Sequence, residues 1–359
     1  MTAPGEFFNK LLDKETMSLL MLLFALAKIV ILLLLLLTLV AYTVWFERKL
    51  LARMQSRWGP TRVGPHGLLQ PLADAIKLLT KEDLTPAGVF PLLYLLAPGL
   101  ALVTALMAFA VIPFGPETRV GGVDLFQISN LDIGVLFILA VSSMGVYGIA
   151  LAGWSSNSKY SLLGGLRSSA QMISYELAVG LSLIGVLLMT GSLSLRDIVN
   201  NQAGFHWGFL PRWNIFPQLA GFFCFLVAAI AKTNRLPFDL PEAETELVGG
   251  YHTEYSSMKF AMFFLAEYTS MVVVSCLATI LFLGGWHGPV FGPEFLQTLL
   301  PLFWFGLKVF GFLFLFVWIR ATLPRLRYDQ LMAFGWKFLV PLALANLVIT
   351  SLVLAIRWS

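Results

Sequence analysis

The sequence predicts an all-α integral membrane protein of about eight transmembrane helices, with one further amphipathic helix lying at the membrane interface. Three observations point there. Of 359 residues, 58% are apolar and only 12% charged, whereas soluble proteins average about a quarter charged. Eight apolar runs approach or exceed the roughly 20 residues that a helix needs to cross a hydrocarbon core. The basic residues collect in alternate loops, as the positive-inside rule requires.

The runs fall at about 20–46, 89–112, 133–153, 171–190, 216–233, 259–283, 300–319 and 335–356. The first is much longer than the roughly 7–15 apolar residues of a signal-peptide core, and it ends in Glu47-Arg48-Lys49 with no small-residue cleavage site. It reads as a retained span. After it, Gly59-Pro60, Gly64-Pro65 and Gly67 mark a tightly turned segment. Leu69, Leu72, Ala73, Ile76 and Leu79 then recur at helical spacing, with Asp74, Lys77 and Lys81 on other faces. Residues 68–81 are too short to span and predict an interfacial helix. No close internal repeat or low-complexity linker divides the chain, so residues 1–359 are expected to form a single membrane domain.

Sixteen Lys and Arg lie in the odd-numbered loops and six on the other side. That bias assigns the odd loops to the cytoplasm and both termini to the periplasm. The net charge of +4 therefore reports orientation, and no nucleic-acid partner is expected. Trp207, Trp213 and Trp286 sit at span ends, where aromatic anchors or simple helix packing would put them.

Cys224 and Cys276 both lie inside apolar runs, which argues against a disulfide framework or a thiolate metal site. His66, His206, His252 and His287 fall in or beside loops, which argues against haem ligation within the spans. No metal and no resident cofactor is expected.

Four ionisable residues fall within spans: Lys28, Glu176, Glu267 and Lys308. Each costs about 2.5–3.5 kcal/mol to insert near a helix centre. Glu267 lies about 12 Å into the sixth run at about 1.5 Å per residue, too deep for so short a side chain to reach water. Glu176 and Glu267 are expected to face the bundle interior, as proton carriers or as static hydrogen-bonded carboxyl groups. Lys28 is expected to snorkel to the periplasmic face. Lys308 is left open.

The cytoplasmic loop 234–258 holds Asp239, Glu242, Glu244, Glu246 and Glu254, interleaved with Phe238, Leu240, Leu247, Val248 and Tyr251. Glu242 and Glu246 on one helical turn would spread each other's titration, suiting a proton store. A plain solvated loop is the alternative. Glu47, Arg48, Arg320, Arg325, Arg327 and Asp329 gather at the same membrane face. The cations satisfy the topology rule, but the set also suits the mouth of a pocket for an apolar ligand with a polar head.

Seven segments carry a family resemblance: Glu47-Arg48-Lys49, GLLQPLADAIKL at 67–78, SSNSKYSLLGGLR at 155–167, QMISYE at 171–176, NRLPFDLPEAE at 234–244, AEY at 266–268 and PRLRYDQLM at 324–332. In this order they resemble the H-subunit family of bacterial NADH-quinone oxidoreductases, respiratory complex I. The resemblance implies the membrane floor of a quinone chamber that couples quinone reduction to proton translocation. Quinone would be the substrate, entering from the bilayer, while the iron-sulfur clusters and FMN would reside in partner subunits. Glu47, Arg48, Asp74, Arg235 and Arg325 would line or support the chamber. Glu176, Asp239, Glu242, Glu244, Glu246, Glu254 and Glu267 would form an acidic path toward antiporter-like pump subunits. The expected partners are the hydrophilic quinone-module subunits, the small and antiporter-like membrane subunits, and lipid. The expected location is the bacterial cell inner membrane, with no catalysis by this chain alone. One departure stands out: many relatives carry an acid where this chain has Lys232.

Two other readings compete. A membrane-bound nickel-iron hydrogenase-type complex would use a similar chain for ion translocation alone. A self-sufficient transporter would show broken spans at matching positions of two halves, and no such pairing is visible.

Overall fold

The computed structural model describes residues 14–120, 123–206, 210–239, 248–290 and 293–358, with backbone only at 14–21, 120, 123, 205–206, 210, 294–296 and 357–358. The helices are α1 (Lys14–Met54), α2 (Gln70–Thr80), α3 (Pro91–Met107), α4 (Gly134–Ser155), α5 (Lys159–Thr190), α6 (Leu195–Asn201), α7 (Leu219–Lys232), α8 (Ser257–Phe282), α9 (Glu294–Thr322), α10 (Tyr328–Phe334) and α11 (Val340–Trp358). Two short antiparallel hairpins, Arg119–Val120 with Val123–Asp124 and Phe205–His206 with Leu210–Pro211, join helix ends.

Seven described helical segments are long and apolar enough to cross a membrane: Leu22–Met54, Pro91–Ala110, Gly134–Ser155, Lys159–Thr190, Ser257–Phe282, Gln297–Thr322 and Tyr328–Ile356. The eighth expected span corrects to something shorter. α7 has 14 residues, or about 21 Å of rise, against about 30 Å of hydrocarbon. The apolar run starts at 216, but the chain turns through 215–218 and enters the helix only at Leu219. Cys224, Phe225 and Ala228 to Ala231 of α7 are buried, while Leu219 and Phe223 are exposed, so one face of the helix packs against protein.

Other boundaries lie beyond the apolar runs because charged turns extend the helices past the bilayer core. α1 has 41 residues, about 62 Å, so Glu47, Arg48 and Arg53 ride on a continuing helix. Similarly, α5 begins at Lys159, inside what reads as a loop. It ends at Gly191, whose φ of 67° lets the chain leave in the left-handed conformation. A single π turn, Gly335–Leu339, separates α10 from α11.

α8 lies at the centre: 72% of its most apolar stretch is buried, against 17% for α1. It packs on α3, α9, α1, α7 and α2, while α5 binds α4, α7 and α11. Very close approaches support this packing. A Cβ on Gly164 of α5 would lie 2.8 Å from the Gly250 Cα, and one on Gly148 of α4 would lie 2.9 Å from Ala101. By contrast, α2 buries none of its residues; Leu69 beside it and Leu72, Ile76 and Leu79 on it are exposed, the face an interfacial helix gives to lipid.

Lys28 does not snorkel. Its side chain is buried, and Nζ donates to the carbonyl oxygens of Asp124 and Gln127 at 2.7 Å each. The hairpin loop folds over the helix and supplies the acceptors that water would have given. Lys308 resolves similarly: Nζ donates to the carbonyls of Leu283, Gly285 and His287 at 2.7, 2.9 and 2.7 Å. It clips the turn that leaves α8, just beyond its end at Phe282, by satisfying carbonyls there.

Candidate functional site

The turn after α7 positions the central cation. Gln171 of α5 donates through Nε2 to the carbonyls of Ala231 and Phe238, at 2.7 and 2.8 Å. Asn234 adopts φ 52° and donates to Ser168 Oγ at 3.0 Å. With its backbone pinned to α5 at both ends, this turn aims Arg235 into the bundle.

Arg235 is 6% exposed. Its Nε lies 2.6 Å from Glu267 Oε1 of α8, and Nη1 lies 3.5 Å from Glu47 Oε1 of α1. The guanidinium also covers the Tyr268 ring at 4.0 Å, an arrangement that planar arginine suits and lysine does not. Tyr268 donates its hydroxyl to Glu47 Oε2 at 2.9 Å, and Arg320 of α9 pairs with the other Glu47 oxygen. Two carboxylates and two guanidiniums from four segments thus form one formally neutral network, buried at Glu47 and Arg235 and partly open at Arg320. Burial disfavours the Arg235 charge, but Glu267, Tyr268 and Glu47 outweigh it and hold the guanidinium above its ordinary pKa.

The second pair lies one helix layer away. Glu176 Oε1 of α5 is 2.7 Å from Lys232 Nζ of α7 and accepts from Ser143 Oγ of α4 at 2.5 Å. Lys232 also donates to Ser142 Oγ at 2.8 Å. Between the two pairs lies a cavity of about 100 Å³, whose lining includes Thr104, Ser142, Lys232, Tyr251, Glu267 and Ser270. Its wall is mostly apolar, including Ile138, Met172, Phe225 and Leu277, with these few polar groups set into it, and its volume would hold several water molecules at about 10–15 Å³ each by the same measure.

Other expected residues lie apart from this centre. Arg48 and Asp74 pair at 2.7 Å and tie α1 to α2; Gln70 also donates to Asp74, at 3.0 Å. Arg325 pairs with Asp239 at 3.2 Å, joining the loop between α9 and α10 to the loop after α7. Near Asp239, the half-buried His252 packs edge-on against Tyr251 and Phe260. Partial burial there, which withholds water from the imidazolium, lowers its pKa to about 4, with Asp239 opposing the shift. Glu254 accepts through its backbone carbonyl from the Tyr94 hydroxyl at 2.7 Å, beside the stacked Tyr94–Tyr255 pair. Glu242, Glu244, Glu246 and Trp207 lie outside the described residues.

The two sets of expected residues therefore meet at two places: Arg235 touches Glu47 of the first set and Glu267 of the second, and Arg325 of the first pairs with Asp239 of the second. Sequence reasoning puts Arg320 only in the charged set at a candidate pocket mouth, and gives Lys232, Tyr268, Ser142 and Ser143 no assigned place in the site. The signals in the chain are a hydroxyl pair inside an apolar run and a tyrosine following Glu267. Lys232 stands out only as a departure; its partner Glu176 is 56 positions away.

Comparison with known proteins identifies the family. The family model described as NADH dehydrogenase matches residues 27–351. The chain is 60% identical over 353 residues to the NADH-quinone oxidoreductase H subunit numbered 2 of Koribacter versatilis, covering 94% of this chain and 99% of that relative. It is 54% identical to the H subunit numbered 1 of Solibacter usitatus, covering 89% and 93%. It is 53% identical to the H subunit numbered 1 of Geobacter metallireducens, covering 92% and 97%.

Proposed function

The chain belongs to the H-subunit family of NADH-quinone oxidoreductases, and from that membership we propose that it forms the membrane side of a quinone chamber and passes the charge change of quinone reduction into a buried proton relay. It is a multi-pass membrane component of an enzyme that works only in assembly. The bacterial inner membrane is its proposed site. Hydrophilic quinone-module subunits at the cytoplasmic face, with small and antiporter-like membrane subunits alongside, are its proposed partners. Those hydrophilic subunits would carry the electrons through FMN and iron-sulfur clusters.

The reading rests on Arg235, held between Glu47 and Glu267, with a cavity onto whose wall both Glu267 and Lys232 open. A quinone tail would enter beside α1 and α2, where the Arg48–Asp74 pair braces the two helices. Arg235 and Arg325 would be the cations at the chamber's polar end. Negative charge on the reduced head group competes with the carboxylates for these guanidiniums. It also favours protonation of Glu47 and Glu267. Quinol release restores the pairs and frees the protons. Asp239, Glu242, Glu244, Glu246 and Glu254 would supply the loop end of the path.

The test is Glu267→Gln, with Glu47→Gln as its companion, in assembled complex reconstituted into liposomes. Loss of proton pumping in both, with the glutamine retaining much of the shape, is the expected result. Normal quinone reduction together with normal pumping in both variants would remove the relay.

A further inference from the structure

We propose that Lys232 is a proton-exchanging residue, the step through which protons pass between the cavity and Glu176; this rests on the relay reading above. Lys232 and Ser142 line the cavity that reaches Glu267, whereas Glu176 is not among its lining residues. Glu176 meets Lys232 Nζ at 2.7 Å, and the same Nζ donates to Ser142 at 2.8 Å. Lys232 is therefore a titratable residue that lines the cavity and touches the largely covered carboxylate of Glu176. The other groups facing this region are Glu267 of α8, Tyr251 of the turn before it, the hydroxyls of Thr104 and Ser143, and Arg235 on the following turn.

Chemistry suits the position. The Lys232 and Glu176 side chains are 10% and 20% exposed, so an unpaired charge on either would be costly. Proton transfer within the pair avoids that cost, because ammonium with carboxylate and amine with carboxylic acid are both neutral overall. Lys232 gives a proton to Glu176: one N–H bond breaks and one O–H bond forms. The amine then takes a proton from the cavity, and Glu176 releases its own on the Ser143 side. One proton enters and one leaves, with no electrons involved. A second carboxylate at position 232 could also exchange protons. An arginine would keep the ion pair but could not deprotonate.

That contrast defines the experiment. Lys232→Arg and Lys232→Glu are introduced into the whole complex, checked for assembly by native gel, and reconstituted into liposomes. Quinone reduction and proton uptake are then measured together across pH. Proton exchange predicts that Lys232→Arg lowers protons pumped per electron by at least about tenfold, while Lys232→Glu stays within about twofold of the parent and shifts the pH profile. If Lys232 serves only to neutralise Glu176, the ranking inverts: arginine pumps normally and glutamate fails. Normal pumping by Lys232→Arg overturns the proposal whatever the glutamate variant does, and so does failure of both in assembled complex. Failure of the underlying relay is separately visible, because Glu267→Gln would then pump normally.

Discussion

Arg235 Nε lies 2.6 Å from Glu267 Oε1, and the same guanidinium reaches Glu47, 188 positions earlier in the chain. One cation thus joins the helix that starts the bundle to the helix at its centre. Removing it would take a counter-charge from two buried carboxylates at once, although Glu47 keeps Arg320. Arg235→Met is expected to cost about 3–5 kcal/mol of local stability, and Arg235→Lys less, since a point charge cannot face both carboxylates and the Tyr268 ring but still supplies a cation. Thermal unfolding of the assembled complex checks the order; equal melting of all three proteins would contradict it.

Lys28 predicts a second, structural loss. Lys28→Met leaves the carbonyls of Asp124 and Gln127 without the ammonium that now satisfies them. The expected cost is about 1–3 kcal/mol, concentrated in the hairpin region. Hydrogen exchange should accelerate at 123–129 and remain unchanged in α8.

Close packing gives a third expectation. A Cβ at Gly164 would meet the Gly250 Cα and carbonyl carbon and the Tyr251 nitrogen at 2.8–2.9 Å, all backbone atoms that cannot swing aside. Gly164→Ala is expected to destabilise by about 1–3 kcal/mol as the turn at 250–252 is pushed off α5. Gly99, where an added Cβ meets nothing within 4 Å, is the control. Its alanine variant should match or exceed the parent's melting temperature.

His252 sets a fourth, through pH. The fold holds its pKa at about 4 rather than 6.5, so the native state refuses a proton that the unfolded chain accepts. Stability from this group is unaffected above pH 6.5 and falls as pH drops from about 6.5 toward about 4. His252→Gln should flatten that acid slope when melting temperatures at pH 7 and pH 5 are compared. A slope as steep as the parent's would assign the acid sensitivity to other groups.

Membrane character, the interfacial helix and the intramembrane acids are all legible in the chain, because hydropathy, helical periodicity and the rarity of charge in lipid act on local stretches. Family membership is legible from seven ordered motifs, Glu47-Arg48-Lys49 through PRLRYDQLM at 324–332. The length of α7 is not, since a run of apolar residues does not reveal where the chain turns into its helix.

Local sequence alone thus settles which residues cannot face lipid and which alternate loops gather the cations. Their partners are settled by the fold. Lys28 goes to loop carbonyls rather than to water, Lys232 goes to Glu176, and Arg235 goes to both Glu47 and Glu267. The physical reason is that an ion pair acts over a few ångströms, while the residues that form it are separated by whole helices. Which acid meets which base depends on how helix faces pack, and small residues such as Gly148 and Gly164 set that packing through contacts that no local pattern encodes.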